Sequence, residues 1–127
     1  LNGVLKNVPL WLDEGLAGYF ELPPSNDGVN VQHLDTLRRG PGQFELARLE
    51  KFDQVKQMEK PEYREAWAWV HFMLRNDYKT RKVLLEYLQT LRTNPNPGPL
   101  LPKLQAVVPN PDKALAEHLT TIEFPHR

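Results

Sequence analysis

The chain of 127 residues contains no cysteine. This absence excludes a disulfide framework, a thiolate zinc site, an iron–sulfur cluster and a cysteine nucleophile. The chain also has no excess of either charge, because 16 Lys and Arg residues balance 16 Asp and Glu residues. Nucleic-acid-binding domains draw much of their affinity from a basic excess, so we expect no nucleic-acid partner.

Long apolar runs are missing as well. No stretch approaches the roughly 20 apolar residues of a membrane-spanning helix, so we expect no membrane span, and no signal-peptide pattern opens the chain. The chain begins at Leu1 rather than methionine, and we therefore expect it to be a piece of a longer protein. Hydrophobic residues still make up 40% of it, which is enough for a packed core.

The apolar residues follow a helical period, and no segment shows convincing two-residue alternation. Their spacing predicts helices over about 9–22, 31–39, 61–76, 80–92 and 111–122, with an ambiguous stretch over 44–58. The segment 61–76 is apolar around most of its circumference, which predicts a centrally buried helix. The expected fold is mainly α, one compact helical unit.

Proline is abundant, and half of the 12 prolines lie between residues 94 and 111. Because proline lacks an N–H group and restricts the residue before it, 94–110 is predicted to be an extended connection without regular helix. Asn110, Pro111 and Asp112 then have the pattern of an N-cap, a first-turn proline and a first-turn acid. We expect a helical portion over 1–93, a Pro-rich connection over 94–110, and a C-terminal helix and tail over 111–127.

The most informative segment for chemistry is LWLDEGLAGYFE, which ends at Glu21. On a helix, Glu14 and Glu21 share one face with Ala17 and Gly18. Each of the two glycines costs about 1 kcal/mol relative to alanine, so such a helix needs close approach by another element or room for a ligand. An acid beside small residues fits a metal ligand donated from a helix. The alternative is a solvated Glu14, with glycines that only permit helix packing.

The string PLWLDEGLAGYFE resembles the third-ligand segment of the gluzincin zinc metallopeptidases, the peptidase-MA-like group, and most resembles a bacterial branch of it. In that group an H-E-x-x-H helix supplies two histidine ligands and the general-base glutamate, and a following W-L-x-E-G-x-A helix supplies the third ligand. The resemblance implies that Glu14 is a zinc ligand. It also implies that Glu21 supports a zinc-binding histidine, and that the substrate is a peptide or protein. The chain would then be the compact, helical C-terminal subdomain of such an enzyme.

A second segment, PEYREAWAWVHFML, is similar to one in aminopeptidase-type gluzincins, where a tyrosine opens a buried helix. There the tyrosine hydroxyl donates a hydrogen bond to the developing oxyanion, so the resemblance implies a catalytic role for Tyr63. Two features depart from the family pattern: Tyr63 follows Glu14 more closely than in the aminopeptidases, and Ala66 or Trp67 stands where they have glycine. The alternative is a core tyrosine at the start of a helix.

No H-E-x-x-H occurs in the sequence, and no two of its 4 histidines lie three or four residues apart. If the resemblance holds, this chain carries one zinc ligand of three, and alone it is expected neither to bind catalytic zinc nor to hydrolyse peptides. His71 is either close to the site or, as we favour, a hydrogen-bonded core histidine. The rival hypothesis is a non-catalytic helical binding or structural module derived from a peptidase scaffold.

Overall fold

The computed structural model describes residues 8–40 and 44–123, and over these residues the fold is mainly α without strands. The α-helices in this part of the chain are α1 (Leu10–Phe20), α2 (Val31–Arg39), α3 (Leu46–Leu49), α4 (Lys60–Arg75), α5 (Tyr78–Leu91), α6 (Leu101–Gln105) and α7 (Pro111–Thr121). Short 3₁₀ turns lie at Pro24–Asn26 and Val55–Gln57. No helix within the described ranges is long and apolar enough to cross a bilayer.

The central element is α4, as predicted for the segment 61–76. All residues from Glu65 to Met73 are buried, and α1, α2, α3, α5 and α7 all contact this helix. Its start is set by a capping box, in which the Glu59 N–H donates to Glu62 Oε1 at 2.8 Å. Because α4 is covered on every side, the rest of the fold is arranged around it.

The helices α1 and α4 form the most extensive contact and run in the same direction. Gly15 lies against Ala66 and Val70, and one turn further along α1 the Tyr19 hydroxyl accepts a hydrogen bond from Arg75 at 2.7 Å. The chain between them, which carries α2 and α3, returns to the start of α4 so that the two helices can pack in parallel. This pair positions the candidate site.

The predicted bounds of most helices differ from those observed by one or two residues. The helix predicted over 80–92 begins earlier, at Tyr78, because the Asp77 side chain accepts the Thr80 N–H at 2.9 Å and caps it. The ambiguous stretch 44–58 forms α3 and one 3₁₀ turn. The helix predicted over 31–39 matches α2, where Asn30 accepts the His33 N–H at 3.0 Å.

The prediction that 94–110 contains no regular helix is wrong for α6. Pro102 lies in the first turn of that helix, where a missing N–H breaks no intrahelical bond. The Glu50 carboxylate accepts the N–H groups of Leu100 at 2.5 Å and Leu101 at 3.3 Å. A side chain distant in sequence thus supplies the cap, which local pattern did not reveal.

The C-terminal helix α7 packs on α4 and α2. Leu115, Leu119 and Ile122 belong to the same buried cluster as the core residues of α1 and α4. Asn110 occupies the predicted N-cap position, but its side chain makes no capping hydrogen bond. The other end of α7 is held by Arg38, whose guanidinium donates to the Leu119 carbonyl at 2.9 and 3.1 Å and to the Ile122 carbonyl.

Candidate metal-ligand site

The helix α1 has an inner and an outer face. The inner face, which packs into the core, consists of the buried residues Trp11, Leu12, Gly15 and Leu16. The outer face carries the partly exposed residues Leu10, Glu14, Ala17 and Gly18 and ends at the exposed Glu21. The helical period therefore places the two carboxylates and the small residues as predicted, on the side turned away from α4.

The two glycines of α1 have different surroundings. A Cβ atom on Gly15 would lie 2.7 Å from the Ala66 carbonyl oxygen and 2.8 Å from Val70 Cγ2, so only glycine allows α4 this close. A Cβ atom on Gly18 would meet nothing within 4 Å among the described residues outside its own helix turn. Close approach by another helix accounts for Gly15 and leaves Gly18 unexplained.

Glu14 is partly buried, and within residues 8–40 and 44–123 its carboxylate forms neither a hydrogen bond nor an ion pair. Burial raises the pKa of this carboxyl group, and the negative charges of Asp13 and Glu21 raise it further. A nearby cation would reverse the effect, because it favours the charged form. The side chain therefore has the electrostatic environment of an anion that lacks a counter-charge.

Glu21 follows the last residue of α1, and its backbone N–H donates to the Ala17 carbonyl at 2.9 Å. Its side chain is exposed, and its negative charge contributes to the raised pKa of Glu14. None of the described histidines forms a hydrogen bond with it. Its support of a zinc-binding histidine, which the resemblance implies, stays a prediction.

Tyr63 lies in the first turn of α4, partly buried and packed against the core. Because α1 and α4 are parallel, Tyr63 and Glu14 both lie in the N-terminal half of the pair. Among the described residues, the Tyr63 hydroxyl forms no hydrogen bond, either with Glu14 or with another side chain. Its catalytic role stays a prediction.

The described residues do not by themselves fit a zinc site. Catalytic zinc needs three protein ligands, and nowhere in residues 8–40 and 44–123 do three His, Asp or Glu side chains cluster closely enough to hold a metal ion. His71 is 4% exposed, and its Nδ1 lies 2.9 Å from Nε2 of His118, so it is the hydrogen-bonded core histidine that we favoured. As a zinc ligand, Glu14 would need two further protein ligands that the described residues do not place beside it.

Sequence reasoning missed a set of hydrogen bonds from Arg75, here called the Arg75 clamp, that holds the C-terminal end of α1. The Arg75 guanidinium donates to the Tyr19 hydroxyl at 2.7 Å and to Asp27 Oδ1 at 2.8 Å, and this bonding lowers the pKa of the Asp27 carboxyl. Gly28, with a φ of 77°, lies against the Tyr19 ring, where a Cβ would come within 2.7 Å. Sequence reasoning could not find these contacts, because Arg75 is remote in sequence from both Tyr19 and Asp27.

Among the described residues, surface cavities of about 390, 610 and 310 Å³ are lined by neither Glu14, Glu21 nor Tyr63. Comparisons with models of known families, with curated proteins and with solved structures found no match. The gluzincin resemblance therefore depends on the two sequence motifs alone.

Proposed function

We propose that the chain is the helical portion of a gluzincin-like zinc metallopeptidase, in which Glu14 is the third zinc ligand. The carboxylate of Glu14 carries the proposal, because it is partly buried, has no partner among the described residues and lies beside the open position of Gly18. The sequence has no H-E-x-x-H, so the other two ligands and the general base would come from outside these 127 residues.

The contacts that hold α1 in place support this proposal. A metal ligand must be held within a fraction of an ångström, which favours a rigid helix over a loop. The contact of Gly15 with Ala66 fixes the middle of α1, and the Arg75–Tyr19 hydrogen bond fixes its end. Glu14 thus projects from the helix pair with the most extensive contact in the described fold. In this proposal a further element covers the outer face of α1.

In this proposal each residue has a distinct role. Glu14 supplies an anionic oxygen donor, and the Tyr63 hydroxyl donates a hydrogen bond to the carbonyl oxygen of the scissile peptide as negative charge develops there. Zinc, when bound, supplies a water acidic enough to be deprotonated near neutral pH. The substrate is a peptide or protein.

The first test is Glu14→Gln in the full-length protein. We expect loss of stoichiometric zinc after dialysis, measured by mass spectrometry of the metal, because glutamine keeps the shape of the side chain and removes the anionic donor. Asp13→Asn is the matched control, since Asp13 is an exposed carboxylate one position away, and it should retain zinc. Full zinc content in Glu14→Gln would show that the ligand assignment is wrong.

Tyr63→Phe tests the catalytic role separately. We expect unchanged zinc content and a turnover lower by about 10²–10³, the usual effect of removing one oxyanion donor. Unchanged turnover would assign Tyr63 to the core. The coding sequence upstream of Leu1 gives a simpler check, because absence of H-E-x-x-H there would leave the non-catalytic module as the better hypothesis.

A further inference from the structure

A pair of buried histidines joins α7 to the central helix. Nδ1 of His71 in α4 lies 2.9 Å from Nε2 of His118 in α7, and the two side chains are 4% and 8% exposed. The His118 ring also packs edge-on against the Phe72 ring, with 5.5 Å between the two ring centroids. At neutral pH one imidazole donates its N–H and the other accepts it, so this contact needs both rings uncharged or a single shared proton.

Acid would act on this pair in two stages. A first added proton leaves the hydrogen bond in place but puts a positive charge at a largely buried position. A second proton puts an N–H on both facing nitrogens, so the hydrogen bond is lost and two positive charges repel. Water has a route to the pair, because His118 lines the 390 Å³ cavity with Asn76, Lys113 and Glu117.

The charged groups around His71 oppose its protonation on balance. Arg75 on α4 disfavours the charged ring, whereas Asp27 in the loop after α1 favours it more weakly. The neighbouring rings of Tyr19 on α1 and Trp67 on α4 bring no countercharge. Beside His118, the cationic Lys113 and anionic Glu117 of α7 line the same cavity.

Two carboxyl groups near the N-terminal end of α7 respond to pH in the opposite direction, whereas the C-terminal end of α7 is held by hydrogen bonds from Arg38 of α2. Burial raises the pKa of Asp112, and the charge of Glu45 raises it further. Burial likewise raises the pKa of Glu65 on α4, to which the charge of Asp112 adds a small contribution. Protonation of these carboxyls favours docking, so it opposes the histidines and reduces the net effect.

We propose that the His71–His118 pair is an acid-sensitive latch, and that its protonation releases α7 from α4 while α4 and α5 remain folded. Release would uncover the side of α4 at Phe72 and the apolar residues Leu115 and Leu119 of α7. The inference is independent of the zinc proposal, because it involves neither Glu14 nor the outer face of α1.

The direction of the pH effect follows from the histidines. Burial lowers the pKa of each ring from 6.5 to about 4, and for His71 the charge of His118 contributes as well. A released ring regains its ordinary pKa, so the open form binds more protons and docking weakens as pH falls from about 6.5 towards 4. Between pH 7 and 5 each histidine that regains an ordinary pKa multiplies the opening equilibrium by roughly 20.

Hydrogen exchange of the whole chain at pH 7, 6 and 5 tests the latch, after correction for the intrinsic pH dependence of exchange. We expect protection of α7 to fall by at least 10-fold between pH 7 and 5, after the opposing effect of the carboxyls, while α5 stays protected. Constant protection of α7 would overturn the proposal. Simultaneous opening of α7 and α5 would overturn it too, because that is global unfolding.

Substitutions test whether His71 and His118, and not other titratable groups, cause the pH response of α7. His71→Phe combined with His118→Leu removes both titrating rings, and its α7 should keep at pH 5 the protection it has at pH 7. His33→Gln is the control, because His33 is another partly buried histidine with a lowered pKa, and it should respond to pH like the parent chain. If the double variant does not fold, His118→Asn should show a clearly weaker pH response. An unchanged response in either His118 variant would overturn the latch.

Discussion

Gly15 and Gly18 lie one helical turn apart on α1, and the structure gives them opposite surroundings. Gly15 is buried where α4 comes so close that a methyl group would meet the Ala66 carbonyl, whereas Gly18 has open space beside it in the described structure. The same residue type in the same helix thus has a packing reason in one case and none in the other. Helix packing therefore explains the glycine at position 15 but not the glycine at position 18, which lies on the outer face of α1.

The same contrast applies to the acidic residues. Glu65, buried on α4, accepts hydrogen bonds from the Glu45 N–H at 2.7 Å and from Trp69 Nε1 at 3.0 Å, which partly offset the effect of burial on its pKa. Glu14 on the outer face of α1 has a raised pKa and no such donor among the described residues. The hydrogen-bond donors around Glu65 and their absence around Glu14 in the described structure distinguish the two carboxylates.

Of the substitutions at the two glycines, Gly15→Ala is expected to change the free energy of unfolding most. The added methyl group overlaps a backbone carbonyl and Val70, which costs about 1–3 kcal/mol, while better helix propensity returns up to about 1 kcal/mol. We expect a net loss of about 1–2 kcal/mol in the free energy of unfolding, measured by urea denaturation of the chain. Equal or higher stability would mean that α1 and α4 do not pack as closely as described.

A smaller effect of opposite sign is expected from Gly18→Ala. The new methyl group meets no described neighbour, so lower backbone entropy in the unfolded state should stabilise the chain by about 0.5–1 kcal/mol. In the full-length protein the same methyl group would lie beside Glu14, and the proposed function predicts weaker zinc retention there. Gain of stability without any change in zinc would show that Gly18 does not border the metal.

Much of the fold was predictable because its signals are local. The bounds of α2 and the burial of α4 follow from apolar periodicity and capping residues, which act within a few turns. The helix α6 was not predictable, since Glu50, far away in sequence, caps it. The same reason hid the Arg75 clamp and the His71–His118 pair, whose members are distant in sequence but adjacent in space.

For the candidate site, periodicity alone placed Glu14, Ala17, Gly18 and Glu21 on one face, because the helical repeat is a property of the backbone. Only the tertiary structure decided which glycine α4 covers and that His71 pairs with His118 instead of approaching Glu14. Helix geometry sets the angle between neighbouring side chains, but it does not say which side another helix occupies. That choice depends on how all the apolar faces of the chain are buried together.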